Sequence, residues 1–554
     1  MLRILLLLSV CLLVFVNLSS AQIKKTAFIN GKIYTVNKKQ PLAESVVVYD
    51  NKIIFVGSDS DAKKFIDDNT EVVDLTGKLM LPGFIDNHVH FTSGGFYLNG
   101  IDLRPAKSIK EFQEILRNYV KGKEGKWITG GEWDHEAWEV KELPTKELID
   151  DITPATPVFI TRFDGHMGLA NSYALKLAGI TKDTPSPDGG LIVKDPKTGE
   201  PTGILKDNAM ALIYEHVPDQ TEEEVYNNTL TALEEAKRLG VTGVHDITYI
   251  PDLRAYQKIE KDGKLTCRIY TRMPVSTYKN LANEGIQYNF GSDKIKLGAL
   301  KGFADGSLGS MTAWFFEPFT QDTTTSGLPM DIITDGSLKK WAFDADKNKL
   351  QLCIHAIGDR ANSYILDIYQ EIKEKNPEWD RRFRIEHAQH VRFQDIKRFA
   401  EIGVIASVQP YHAIDDGVWA EKRIGPERIE YTYPFRSFID AGVKLCFGTD
   451  WVVAPLNPLL GIYAAVTRRT LDGKNPDGWI PEQKITIEEA IECYTINNAY
   501  ASFQEDELGS IEPGKFADMV ILSDDILTID PIKIKDVKVD MTIFDGEIIY
   551  GKNK

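Results

Sequence analysis

Short apolar runs that end in a metal-capable side chain recur along this chain, and they restrict its fold more than any other feature. Leu81-Pro-Gly-Phe-Ile-Asp-Asn-His88-Val-His90, His355-Ala-Ile-Gly-Asp359, Ile385-Glu-His387-Ala and Gly448-Thr-Asp450-Trp451 each set such a residue after a strand-like stretch. Around them, helical patterns alternate with short buried strands. Val241-Thr-Gly-Val-His-Asp246 follows a helical pattern around Thr221–Leu239, and Val404-Ile-Ala-Ser-Val-Gln409 follows Phe393–Ile402. This alternation implies βαβ units and a parallel sheet. Ligand candidates at the carboxyl ends of several strands favour a TIM-like (β/α)8 barrel, whose sites gather on that face. A doubly wound sheet would collect them at one crevice instead. His88 and His90 stand at i and i+2, so on a strand both rings point to one face and can reach one ion. A catalytic zinc wants about three nitrogen or oxygen ligands and an open position. Four histidines and an aspartate are enough for one such site or two.

The two ends of the chain read differently from its middle. Thr26 to Leu79 is strand-like, with turns at Asn30-Gly31, Asp50-Asn51 and Thr76-Gly77, and Leu508 to Tyr550 has the same character. One small β-sandwich domain built from residues 22–80 and 505–554 is therefore expected around a barrel of residues 81–504. The stretch from about Lys107 to Asp219, rich in Trp, Pro and Gly, fits poorly as plain barrel and is expected to be an insertion near the barrel mouth. Residues 1–21 read as a secretory signal: Arg3, an apolar core from Ile4 to Val16, and small residues at Ser19-Ser-Ala21. That core is too short for a comfortable membrane span, so an exported protein without stable membrane insertion is expected, periplasmic or extracellular. An uncleaved anchor is the alternative. The net charge of −16 argues against nucleic acid as a partner. Cys267, Cys353, Cys446 and Cys493 lie mostly in apolar runs and read as buried small hydrophobes, though export would permit disulfides. Asn227-Asn-Thr229 fits a glycosylation sequon.

Taken together, Leu81–His90, the HAIGD and IEHA segments, Gly448-Thr-Asp450 and Gly509-Ser-Ile-Glu-Pro-Gly-Lys-Phe-Ala-Asp518 resemble the amidohydrolase superfamily. Asp164-Gly-His166, Asn171-Ser172, Phe303-Ala-Asp-Gly-Ser-Leu-Gly309 and Val408-Gln-Pro410 narrow the resemblance to the family-3 amidohydrolases, the branch similar to N-substituted formamide deformylase. The resemblance spans essentially all of the chain after the signal. It implies a TIM-like barrel with a β-sandwich domain from both ends, zinc or a similar divalent metal, and hydrolysis of non-peptide C–N bonds.

By that resemblance His88, His90 and Asp450 hold one metal, and His355 and His387 the other, giving one or two zinc ions per chain. Asp450 would also take a proton from the attacking water and deliver it to the leaving amine. Lys301 ends the run Ile295–Leu300. In two-metal relatives a lysine there is carbamylated and bridges both ions, a reaction that burial favours by keeping the amine neutral. The alternative is a lysine whose ammonium neutralises Asp305 or a substrate carboxylate. His166, His245, Asp305 and His412 are candidate pocket groups, with satisfied polar residues near the mouth as the other reading. His390 reads as a supporting or surface residue, and Trp451 is expected to narrow the pocket. Gly358 stands where mononuclear deaminases of the superfamily tend to carry Glu, which counts against a nucleobase deaminase. The expectation is a metal-dependent hydrolase acting on a small-molecule amide, with homo-oligomerisation open. A deaminase or cyclic-amide or ester hydrolase on the same centre is the alternative, and an exported non-catalytic binding protein a more distant one.

Overall fold

The computed structural model describes residues 24–135, 138–139, 141–162, 167–187 and 190–551. The expected signal at residues 1–21 lies outside them. Eight parallel strands form the centre: β1 (Phe84–Val89), β2 (Val241–Ile247), β3 (Arg268–Pro274), β4 (Ile295–Phe303), β5 (Gln351–Ala356), β6 (Arg384–His387), β7 (Ile405–Val408) and β8 (Leu445–Phe447). They pair in sequence order, each with the next. The two ends of this sheet meet just past β8, where Asp450 N–H donates to His88 O at 2.7 Å and His90 N–H donates to Trp451 O at 2.7 Å. The TIM-like barrel follows directly from the pattern of buried strands separated by amphipathic helices, because every strand is covered on both faces.

That closure has a steric requirement. A Cβ on Gly448 would lie 2.6 Å from His88 N and 2.8 Å from Asp86 Oδ1, so only glycine lets β8 approach β1. Across the seam, Asp86 Oδ2 accepts from Thr449 Oγ1 at 2.6 Å, and Asp86 Oδ1 from Thr449 N–H and His88 N–H at 3.0 Å each. Burial pushes this carboxyl up to about 7, against those hydrogen bonds.

Outside the barrel, Leu79–Pro82 sits in one sheet between Met519–Leu522 and Lys32–Tyr34, so strands from both chain ends share it. A four-stranded sheet of N-terminal segments faces it across a core of Phe28, Ile33, Val46, Met80, Met519 and Ile543. A further mixed sheet of six strands runs from Ile101–Asp102 to Pro201–Asp207 and has its own apolar core around Phe112, Trp133 and Ile160. It lies in the chain between helix α1 (Phe91–Asn99) and helix α2 (Glu222–Arg238), which pack against one another. It starts at Ile101, slightly ahead of the position suggested by composition. Cys267, Cys353, Cys446 and Cys493 are all buried and unpaired. Among the described residues no helix is long and apolar enough to cross a membrane.

Candidate metal centre

The carboxyl ends of β1, β4, β5, β6 and β8 converge on a cavity of about 360 Å³ walled by His88, His90, Lys301, His355, His387, His412 and Asp450. Asp450 is the hub. Its Oδ1 lies 3.6 Å from His88 Nε2 and 3.5 Å from His90 Nε2, longer than a well-made hydrogen bond. That oxygen is buried and has no hydrogen-bond partner among the described residues. Two donors on a tetrahedral ion with bonds of ~2.0–2.1 Å stand roughly 3.3 Å apart. The spacing and the orphaned oxygen therefore fit a divalent cation. His88, His90 and Asp450 form one set whose ligand atoms lie within 4.8 Å of one another, and His387, His412 and Asp450 form another. Both share the aspartate.

Backbone strain aims these groups. Successive strand residues point to opposite faces, yet Glu386 and His387 both turn into the barrel. His387 has φ 71° and Ala388 φ 40°, which breaks the pleat, and Asp450 itself has φ 57°. Non-glycine residues in this region cost on the order of 1–3 kcal/mol each and persist where surrounding structure over-determines them.

Beneath the cavity lies a layer of buried charge. Glu386, fully buried, accepts from His88 Nδ1 and from Ser407 Oγ at 2.7 Å. Arg272 and Arg384, also fully buried, approach it at 2.9 Å as charge contacts rather than aligned hydrogen bonds. A carboxylate can only accept here, so His88 carries its proton on Nδ1 and presents the Nε2 lone pair to the cavity. Burial, reinforced by Lys301 and Arg272, lowers the His88 imidazole to about 3, which keeps it neutral and able to ligate. His387 is likewise driven down, by burial first and then by His355 and His88, and its Nδ1 lies 2.8 Å from Gln409 Oε1. Burial alone would raise the Asp450 carboxyl, but the imidazoles around it hold it well below the usual range.

The remaining candidates separate into those the structure gathers and those it does not. Lys301 is buried and its Nζ has no hydrogen-bond partner among the described residues; burial lowers the amine to about 7. His355 lies against His387, ring centroids 4.4 Å apart, but its Nε2 is 3.1 Å from the Gly306 carbonyl. That nitrogen must donate, so His355 stands outside both convergent sets, and His412 occupies the place beside His387 that the sequence suggested for it. Asp305 does not reach the cavity wall. Its carboxylate accepts from the backbone N–H groups of Trp314 (2.8 Å), Ile357 (3.0 Å) and Gly358 (2.8 Å), so it ties two loops together. Trp451 also stays out of the wall. It wedges against Phe91 and against Gly94, where a Cβ would come within 2.4 Å of the indole, so it props α1 rather than narrowing the pocket. His245 lies in the charged layer, its Nδ1 2.8 Å from Arg384 Nη1. His390 is buried against Thr432 at 2.9 Å. His166 lies outside the described residues.

Glu386, Arg272 and Arg384 were not anticipated as site residues, although Glu386 sits inside the IEHA segment. Their signal was three charges inside strands that are otherwise apolar, since a buried charge needs partners. Among the described residues, none of the cavity wall comes from the mixed sheet between α1 and α2.

Comparison with known proteins agrees with this architecture. The amidohydrolase family profile matches residues 71–550. The chain is 39% identical over 508 residues to Protein LONG AFTER FAR-RED 3 of Arabidopsis thaliana, covering 89% of this chain and 86% of that one. It is 26% identical over 549 residues to N-substituted formamide deformylase of Arthrobacter pascens, covering 96% and 99%. Among solved structures, an uncharacterized metal-dependent hydrolase from Pyrococcus horikoshii superposes with a TM-score of 0.78 at 31% identity, covering 92% of this chain and 99% of that one.

Proposed function

The chain belongs to the amidohydrolase family, and from that premise we propose that it cleaves a non-peptide carbon–nitrogen bond of a small molecule, an N-formyl or N-acyl amine. The observation that carries this reading is the buried Asp450 Oδ1, without a hydrogen-bond partner among the described residues, facing His88 Nε2 and His90 Nε2 across a cavity large enough for a small amide. The full-length similarity to a formamide deformylase supports the choice of bond.

His88, His90 and Asp450 would hold a divalent ion, most naturally zinc for this nitrogen-rich donor set, and His387 and His412, with Asp450 shared, would hold a second. Such an ion, when bound, lowers the pKa of water to about 7 and polarises a carbonyl oxygen. The protein's own groups supply the rest. Glu386 fixes the tautomer of His88. Asp450, charged and with one oxygen free of hydrogen bonds among the described residues, takes a proton from the attacking water and returns it to the departing amine nitrogen. Lys301, neutral for much of its time near pH 7, is chemically competent to add CO2 at Nζ with loss of a proton, and the carbamate so formed would bridge two ions. Residues 1–21 are proposed to export the protein, after which it works on small molecules outside the cytoplasm.

The test is amine and carboxylate release from N-formyl and N-acyl amines, with metal content measured on the same preparation. Asp450→Asn is expected to lower kcat by about a thousandfold or more, as for groups that act as one unit. Activity near wild type in that variant would remove Asp450 from the proton path. Two metals per chain would support the Lys301 bridge; one would leave Lys301 as a pocket amine. Failure to hydrolyse any such amide would overturn the reading.

A further inference from the structure

We propose that Gln389 orients the amide nitrogen of the substrate: its side-chain carbonyl accepts the substrate N–H, so an amide with a hydrogen on nitrogen is told apart from one without. The inference rests on the amide-hydrolase reading above and adds a specificity-determining residue to it. Gln389 stands just past the end of β6, lines the metal cavity and is only 3% exposed. Its backbone carbonyl accepts from Tyr433 N–H at 2.7 Å, which fixes the segment that carries it.

The surroundings dictate which way its side-chain amide points. Thr432 Oγ1 donates its one proton to the Arg428 carbonyl at 3.1 Å. It therefore accepts from His390 Nδ1, 2.9 Å away. Burial, reinforced by Arg428, lowers the His390 imidazole to about 3, so the ring is neutral and its Nε2 carries a lone pair. Gln389 Nε2 donates to that lone pair at 3.1 Å and to Asp416 Oδ2 at 2.7 Å. Tyr433 Oη donates to the same carboxylate oxygen at 2.7 Å. A flipped amide would set Oε1 against two acceptors, which leaves a single orientation. With both N–H groups spent on Asp416 and His390, Oε1 accepts from no described residue and is the polar atom Gln389 has left for the cavity.

An acceptor locked in this way selects its partner. A carbonyl oxygen or a carboxylate is itself an acceptor and gains nothing from it, whereas the N–H of an N-formyl or N-acyl amine pairs with it. Held by that hydrogen, the nitrogen keeps its other face for the proton that Asp450 delivers as the C–N bond breaks.

The experiment compares kcat/KM of the metal-loaded full chain on N-butylformamide and N-butyl-N-methylformamide, read as amine release, in wild type, Gln389→Leu and Gln389→Met. Wild type is expected to favour the N–H compound about ten- to a hundredfold, because the N-methyl compound leaves a buried acceptor unpaired. In either variant the ratio is expected to collapse toward one through loss on the N–H compound alone, with metal content unchanged. Should both variants misfold, the wild-type ratio decides. A wild-type ratio near one, a ratio that survives both substitutions, or equal losses on the two compounds overturns the assignment and leaves the reaction reading intact. Metal loss from the folded variants also overturns it, since Gln389 would then be a ligand. If neither formamide is turned over, the reaction reading falls and binding decides the role of Gln389. The two compounds are then titrated against the fluorescence of Trp419, which lines the cavity, with Trp419→Phe as the blank. Binding of the N–H compound about tenfold tighter supports the assignment, and equal affinity overturns it.

Discussion

Glu386 holds His88 through Nδ1 while Arg272 and Arg384 press on it from below at 2.9 Å, so one buried carboxylate sets the geometry of a ligand and the charge balance of the barrel interior. Gln at this position keeps an acceptor for His88 but leaves two buried guanidiniums uncompensated. Breaking a buried ion pair costs about 3–5 kcal/mol, and loss of such a ligand support typically weakens metal binding about 10–100-fold. Glu386→Gln is expected to show both effects, measured as a lower melting temperature and as earlier metal loss in a chelator competition; undiminished affinity would make Glu386 structural only. Asp246 makes a separate prediction about pH. It accepts from Phe91 N–H at 2.7 Å, Thr248 Oγ1 at 2.6 Å and Tyr256 Oη at 2.7 Å, yet burial, helped by Asp252, raises its carboxyl to about 6. The unfolded chain releases this proton near pH 4 and the folded chain near pH 6, so between those values the folded state binds more protons. Its contribution to stability therefore falls as pH rises from about 4 to about 6 and is flat above. The difference in unfolding free energy between wild type and Asp246→Asn should drift by about 2–3 kcal/mol across that window, and a pH-independent difference would refute the assignment.

At the scale of elements, the seam between β1 and β8 decides whether the centre exists. Asp450 is reached through Gly448 and Thr449, both locked to Asp86 and His88 of β1. Gly448→Ala must push a methyl group into His88 N and into the side-chain oxygens of Asn87 and Asp86, which hydrogen bonds from Ser407 Oγ and Thr449 N–H hold in place. A cost of about 1–3 kcal/mol follows from such overpacking, and because the displaced segment carries Asp450, kcat should fall along with stability. A variant that lost stability but kept full activity would show that the seam supports the barrel without positioning the aspartate. The seam also marks where sequence reasoning reached its limit. Strand identity, barrel class and the pairing of His88 with His90 were legible because hydrophobic periodicity and i, i+2 spacing are local signals. The turn of His387 into the cavity was not, since a positive φ at a non-glycine residue leaves no trace in composition. Nor was the separation of His355 from the convergent sets, which depends on the Gly306 carbonyl 49 residues away in sequence. The contacts of Asp305 with the loop N–H groups of Trp314, Ile357 and Gly358, and of Trp451 with Phe91 and Gly94, were illegible for the same reason: motifs mark such residues, and only the fold shows what they touch.

For the whole molecule, the sheet shared by the chain ends couples distant parts of the sequence into one folding unit. Leu79–Pro82 leads straight into β1 and pairs on its other edge with Met519–Leu522. The C-terminal strands also press on the barrel, because Val520 and Val539 occupy the space where a Cβ on Gly240 would lie, just ahead of β2. Removing residues 519–551 would take away Met519, Val520, Ile521 and Ile543, each almost completely buried. At about 1.5–3 kcal/mol per such side chain, the loss is on the order of 6–12 kcal/mol, comparable with the whole stability of an ordinary domain at ~5–15 kcal/mol. The deletion would also leave Leu79–Pro82 as an apolar sheet edge open to intermolecular pairing. The truncated chain is therefore expected to be insoluble or unfolded although every metal-ligand candidate is still present, as read by soluble yield and circular dichroism. A soluble truncated chain with an intact barrel spectrum would show that the barrel folds without the shared sheet, and that the two ends are held together for some purpose other than stability.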